Sequence, residues 1–161
     1  MGICFLAGRH YTEFLASEGI ELSGGAVLNG KGEAIGEHNG IARYTIGQRR
    51  GEGIPEGLRV VDINASNNTI TVDKNERLFK KRLYINECNI VSESELTTSR
   101  DVTIKIRGIG RNPELPVSVK PQTKGYVVEC DDPVWAPAKG QPLVFYRGNL
   151  VIGGGIVVDF E

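Results

Sequence analysis

Three stretches of this chain read as reverse turns held between short β-branched runs, and no other feature limits its possible folds more. Asn29-Gly30-Lys31-Gly32 lies between Ala26-Val27-Leu28 and Ala34-Ile35. Asn64-Ala65-Ser66-Asn67-Asn68 separates Arg59–Ile63 from Thr69–Val72, and Arg147-Gly148-Asn149 separates Leu143–Tyr146 from Leu150–Ile152. Asn and Gly accept the positive φ that tight hairpins impose, while Val, Ile and Thr suit the pleated backbone on either side. Further short strands are expected at 83–85, 102–106, 117–119, 126–130 and 156–158. Helix is expected only over 13–18, ended by Gly19. The glycine content agrees: 21 of 161 residues, against a usual ~7%. The expected fold class is mainly β, in small barrels or sandwiches.

Charge narrows the function. Nineteen Lys and Arg stand against 20 Asp and Glu, a net charge of -1. That excludes a global basic field holding nucleic acid unspecifically, and equally a solvated acidic tail. Residues 59–112 are locally basic, with 10 basic and 7 acidic side chains. Arg77, Lys80, Lys81 and Arg82 stand there beside an expected domain join near residue 85. The cluster suits a solvated linker and a phosphate contact equally. No apolar run approaches the ~20 residues that cross a bilayer, and the first residues lack the basic region of a signal peptide. Three cysteines without a CxxC pair fit a reducing cytoplasm better than a disulfide scaffold or a structural zinc.

Two places could carry chemistry. Cys4, in Gly2-Ile3-Cys4-Phe5, precedes Arg9 and His10, whose charge could lower a thiol pKa from about 8.5. On spacing alone a small buried hydrophobe is the better reading, as it is for Cys88 and Cys130 in their strand-like settings. The second place runs from Gly36-Glu37-His38-Asn39-Gly40 to Tyr44-Thr45-Ile46-Gly47-Gln48-Arg49-Arg50-Gly51. Glycines let a backbone approach a ligand closely, and Arg and Gln present planar donor groups to phosphates and base edges. A binding loop is favoured over an ordinary turn with solvated arginines. Ser23-Gly24-Gly25 is no phosphate loop, because no helix is expected after it. Gly153-Gly154-Gly155 suits a bulge or a close backbone crossing, and Trp135 a barrel core.

Taken together, the GICF start, the Phe14-Leu15 pair, GEHNG at 36–40, YTIGQRR at 44–50, GQPLVFY at 140–146 and GGGIV at 153–157 resemble the bacterial tRNA-specific 2-thiouridylases. That family has also carried the label of (5-methylaminomethyl-2-thiouridylate) methyltransferases. The resemblance covers nearly the whole chain, but the family's SGGxDS ATP-pyrophosphatase domain is not in it. It therefore implies the back portion of such an enzyme, truncated or separately encoded. Residues 1–15 would be the tail of the catalytic domain and 16–84 a small central tRNA-binding β domain. Residues 85–161 would form a C-terminal β-barrel similar to domain two of elongation factor Tu. ATP and Mg²⁺ would serve the full-length enzyme, with no cofactor in this portion, which alone would be inactive.

By the same resemblance Cys4 matches the family's second catalytic cysteine. There a persulfide delivers sulfur to the adenylated 2-position of the wobble uridine, and a partner cysteine releases it by forming a disulfide. The implied partners are tRNA, through its anticodon stem-loop, and a sulfur-donor protein, with no membrane. Arg9, His38, Gln48, Arg49 and Arg50 are the expected tRNA-binding residues, His38 supporting the loop that carries the others. The alternative is an RNA-binding or interaction module of two small β domains without chemistry of its own.

Overall fold

Asn29 closes the first hairpin with its own side chain. Its Oδ1 accepts from the N–H groups of Lys31 (2.9 Å) and Glu33 (3.0 Å), and Gly32 completes the turn at φ +82°. Asn64 does the same in the second hairpin, accepting from Ser66 at 3.0 Å and Asn67 at 3.4 Å. The computed structural model describes residues 11–20, 22–106 and 112–161. Over these the chain divides into two units between Asn75 and Glu76.

The first element of the first unit among the described residues is a short helix, α1 (Tyr11–Ser17). Gly19, at φ +74°, ends it as expected. The Gly19 N–H donates to Ala16 O at 3.1 Å and the Ile20 N–H to Leu15 O at 3.0 Å, the paired bonds of a Schellman C-cap. Four strands follow: β1 (Gly25–Asn29), β2 (Ala34–His38), β3 (Arg59–Asn64) and β4 (Thr69–Asp73). They form one sheet in the order β2-β1-β4-β3. The two hairpins meet through a parallel β1–β4 pairing, Val27 opposite Ile70. Alternation places Val27, Val60, Ile70 and Val72 in a core that Tyr44 completes from the β2–β3 connection.

The second unit is a curled six-stranded antiparallel sheet. Its strands are β5 (Phe79–Ile90), β6 (Val102–Lys105), β7 (Val117–Pro121), β8 (Tyr126–Trp135), β9 (Pro142–Arg147) and β10 (Leu150–Phe160). Their order is β6-β9-β10-β5-β8-β7. The curl brings the edge strands β6 and β7 within 8 Å of each other, Cα to Cα, without pairing them. Leu83, Ile85, Ile104, Phe145 and Val157 fill the concave side.

Several expectations change here. The strand expected at 83–85 is the middle of β5, so Lys80, Lys81 and Arg82 stand in a strand and not in a linker. Ile85, placed at a domain join by the sequence, pairs with Tyr126 on one side and Val157 on the other. Trp135 is half-buried at the end of β8, and its neighbours Val134 and Ala136 take the buried positions. A second helix, α2 (Glu93–Thr98), was not expected. Ser92 caps it by accepting from the Glu95 N–H at 3.4 Å, and it buries Leu96. The glycine run behaves as expected. The β10–β5 register slips between Gly154 and Ile156, leaving Glu87 at φ +50° in the opposing bulge. A Cβ on Gly154 would lie 2.7 Å from Leu143 O, and one on Gly155 would lie 2.8 Å from Cys88 Sγ. Among the described residues no helix is long and apolar enough to cross a membrane.

Candidate functional site

The binding loop expected from the sequence is the connection between β2 and β3. It begins at His38, the last residue of β2, which is 3% exposed. Both ring nitrogens are engaged. Nε2 lies 3.1 Å from Asn68 O, and Nδ1 accepts from the Gly40 N–H at 3.1 Å. With Nδ1 accepting, Nε2 is the nitrogen that donates to Asn68 O. Asn68, at φ +52° in the second hairpin, also donates through Nδ2 to Gly24 O at 2.7 Å. A Cβ on Gly25 would collide with Asn68 O. The glycines at 24 and 25 thus let two backbones cross closely. His38 sits where the sequence put it, supporting the loop, but its ring has no nitrogen left to offer RNA.

Beyond a 3-10 turn at Ile41–Arg43 the chain enters the arginine loop. Gly47, at φ +89°, and Gln48 lay the backbone against β3. The Gly47 N–H donates to Val60 O at 2.8 Å, and the Val60 N–H to Gln48 O at 3.0 Å. Arg59 Nη1 adds a bond to Gly47 O at 3.0 Å. The Gln48 amide works inside the loop: Oε1 accepts from the Thr45 N–H at 3.0 Å, and Nε2 donates to Arg50 O at 2.7 Å. The amide expected to face phosphates and base edges has both ends bonded within the loop. Tyr44, 6% exposed, donates its hydroxyl to Glu52 O at 2.6 Å and meets His38 edge-on at 5.6 Å between ring centroids. Glu52 in turn accepts from Asn39 Nδ2 at 2.5 Å. Burial, with Glu52 beside it, raises the Tyr44 pKa, so the hydroxyl stays a donor through neutral pH.

Arg49 and Arg50 emerge from this braced backbone into solvent. Among the described residues neither has an ion pair or a side-chain hydrogen bond. They border a shallow depression with Gly51, Ile54, Glu56 and Gly57. Two unpaired guanidinium groups on a fixed backbone can take anionic oxygens without first breaking an internal contact.

Two members of the other basic cluster are engaged within their own unit. Arg82 pairs with Glu161 at 3.1 Å and Glu129 at 3.4 Å, and the Lys80 ammonium lies 5.5 Å from the Phe160 ring centroid. The two described cysteines are poor thiolates. Burial raises the Cys88 pKa. Burial, with Asp132 and Asp131 adding to it, pushes the Cys130 thiol up to about 12. Cys4 and Arg9 lie outside the described residues. Sequence reasoning missed Tyr44, Glu52 and Asn68. A tyrosine heading a glycine-rich segment was the available signal, since a buried Tyr needs a partner for its hydroxyl.

Comparison with known proteins gives two family matches. Residues 12–74 match the tRNA methyl transferase PRC-barrel domain, and residues 80–157 the aminomethyltransferase beta-barrel domain. The chain is 41% identical to the tRNA-specific 2-thiouridylase MnmA of Natranaerobius thermophilus, over 97% of this chain and 43% of that protein. It is 37% identical to the MnmA of Pelotomaculum thermopropionicum, over 96% of this chain and 43% of the relative. The MnmA of Aquifex aeolicus is 36% identical over 98% of this chain and 44% of its own length. The chain thus spans less than half the length of these relatives and matches their C-terminal portion.

Proposed function

Because this chain belongs to the tRNA-specific 2-thiouridylase family, we propose that it is the portion of such an enzyme that grips the tRNA and carries the sulfur-bearing cysteine. Arg49 and Arg50 hold phosphates of the anticodon stem-loop, on a loop that His38 and Gln48 keep in shape. The observation that carries this reading is the pair of exposed arginines, without a side-chain partner among the described residues, on a backbone fixed at both ends. In a chain of net charge -1, affinity for RNA has to come from such local charge.

Cys4 is the sulfur carrier, and the charge of Arg9, close to it in sequence, favours the anionic form. The outer sulfur of a Cys4 persulfide forms a bond to C2 of the wobble uridine as the leaving group on that carbon departs. A second thiolate of the whole protein breaks the S–S bond and ends in a disulfide with Cys4, which an external thiol reductant reopens. Cys88, half-buried, and Cys130, buried, both have thiol pKa values raised by burial, which supports this assignment. A sulfur-donor protein recharges Cys4, and the reducing cytoplasm suits this cycle. The Ser23-Gly24-Gly25 segment does not fit a phosphate loop: it runs straight into β1 with no helix behind it, and Asn68 takes the Gly24 carbonyl. Activation of the uridine is therefore assigned to the rest of the whole protein.

The test is tRNA affinity at several salt concentrations for Arg49→Ala/Arg50→Ala. Losing two charged contacts should weaken binding about tenfold or more and lower the salt slope by about 1–2, with the melting curve unchanged. Unaltered affinity and slope with the fold intact would show that the tRNA is held elsewhere. An RNA-binding module without chemistry shares this interface. Cys4→Ser in the whole protein separates the two: the enzyme reading expects thiolation lost and tRNA binding kept.

A further inference from the structure

Tyr44 sits in a place where packing alone would not require a hydroxyl. Its ring lies in the small core with Val27, Val60, Ile70 and Val72, and a phenylalanine would fill that space. Its oxygen instead reaches the backbone of the loop's return limb, donating to Glu52 O at 2.6 Å. Its ring meets His38, which is itself fixed to Gly40 and Asn68. The outgoing limb is held separately, by the Gly47 and Gln48 bonds to Val60. Between the two anchors lie only Arg49, Arg50 and Gly51, with the Gln48 amide closing across them to Arg50 O. Without the Tyr44–Glu52 bond the return limb keeps the Asn39–Glu52 side-chain bond and the packing of Ile54, but the backbone carbonyl that follows the arginines is released from the core.

We propose that Tyr44 is a positioning residue for tRNA binding, its hydroxyl anchoring the Glu52 backbone and thereby aiming Arg49 and Arg50. This rests on the reading that those arginines contact the tRNA. Tyr44 itself touches no RNA and acts wholly through them. Gly51 belongs to the same device. A Cβ there would lie 3.0 Å from Gln48 Nε2, 3.1 Å from Tyr44 Cε1 and 3.2 Å from Ile54 Cδ1, so alanine at 51 disturbs the anchor while leaving every polar group in place.

The experiment is a mutant cycle read by tRNA affinity at fixed salt, well below the melting temperature. It compares the unsubstituted chain, Tyr44→Phe, Arg49→Ala/Arg50→Ala and the combined variant. Tyr44→Phe should weaken binding about three- to tenfold, the scale of one hydrogen bond, and should cost nothing further once both arginines are gone. A purely structural tyrosine would lower the melting temperature without making the binding loss depend on the arginines. Gly51→Ala, run through the same cycle, should repeat the pattern and carries the test if Tyr44→Phe does not fold. Binding unchanged by both Tyr44→Phe and Gly51→Ala, or a loss equal with and without the arginines, overturns the positioning role and leaves the arginine contact standing. If replacing the arginines itself changes nothing, the contact and the inference fall together.

Discussion

Gly154 offers a direct test of how tightly the second unit is threaded. It lies within β10, opposite Asn89 of β5 and Val144 of β9. A Cβ at this position would lie 2.7 Å from Leu143 O and 3.5 Å from Val144 Cα. The oxygen contact is about 0.6 Å inside the ~3.3 Å at which carbon and carbonyl oxygen settle. Both atoms belong to backbone in the sheet, so no side chain can rotate away. Overpacking of this kind costs about 1–3 kcal/mol, and alanine recovers about 0.4–1 kcal/mol by restricting the unfolded chain. The net cost of Gly154→Ala is then about 1–2 kcal/mol, a fall of about 5–15 °C in melting temperature for a domain of this size. Thermal unfolding followed by far-UV circular dichroism reads it. Gly148 is the control, since a Cβ there meets nothing within 4 Å and the demand is φ +58° alone. Asparagine tolerates that conformation better than alanine. At 148 the order of stability should be Gly, Asn, Ala, and at 154 it should be Gly, Ala, Asn. A Gly154→Ala chain melting with the unsubstituted one, or asparagine outperforming alanine at 154, would refute the close crossing.

His38→Ala strands the Gly40 N–H and the Asn68 carbonyl and should cost about 2–3 kcal/mol. Urea unfolding checks this, and a negligible loss would mean the ring is not the pin. Cys130 predicts a decline at high pH. Its folded thiol titrates at about 12 against an ordinary 9.0, so the unfolded chain loses its proton first as the pH rises. The stability this contributes is whole below about pH 9 and is lost as the pH climbs toward the folded value, at up to about 1.4 kcal/mol per pH unit. Cys130→Ala should flatten the fall measured by urea titration between about pH 9 and 10.5, and an unchanged slope would count against it.

Much of this fold was legible because hairpin chemistry is local. Asn29, Gly32, Asn64 and Gly148 act within four residues of themselves, so the turns and the strands beside them could be read directly. Helix α2 was also local, since Ser92-x-x-Glu95 is a capping signal, but its apolar content is nearly Leu96 alone and gave no visible stripe. The parallel β1–β4 pairing and the full length of β5 depend on partners far away in the chain, which no local pattern encodes. At the candidate site, residue type drew attention to the loop but could not tell which way its polar groups face. Gln48 and His38 carry donor groups, and only the structure decides whether a donor faces a ligand or the protein's own backbone.

The strand order of the second unit dictates when it can form. Its first strand, β5, and its last, β10, lie side by side at the centre, while β6 and β7 from the middle of the sequence are at the edges. The central pairing joins residues as distant as Leu83 and Phe160, so closing the sheet is a high-contact-order event that local hairpins cannot nucleate. During synthesis β7 and β8 can pair with β5 early, whereas β6 and β9 have nothing to join them to it until β10 emerges. Loss of the final dozen or so residues would therefore remove a keystone and not an edge, dividing the sheet into β6-β9 and β5-β8-β7 with unpaired backbone on both sides of the gap.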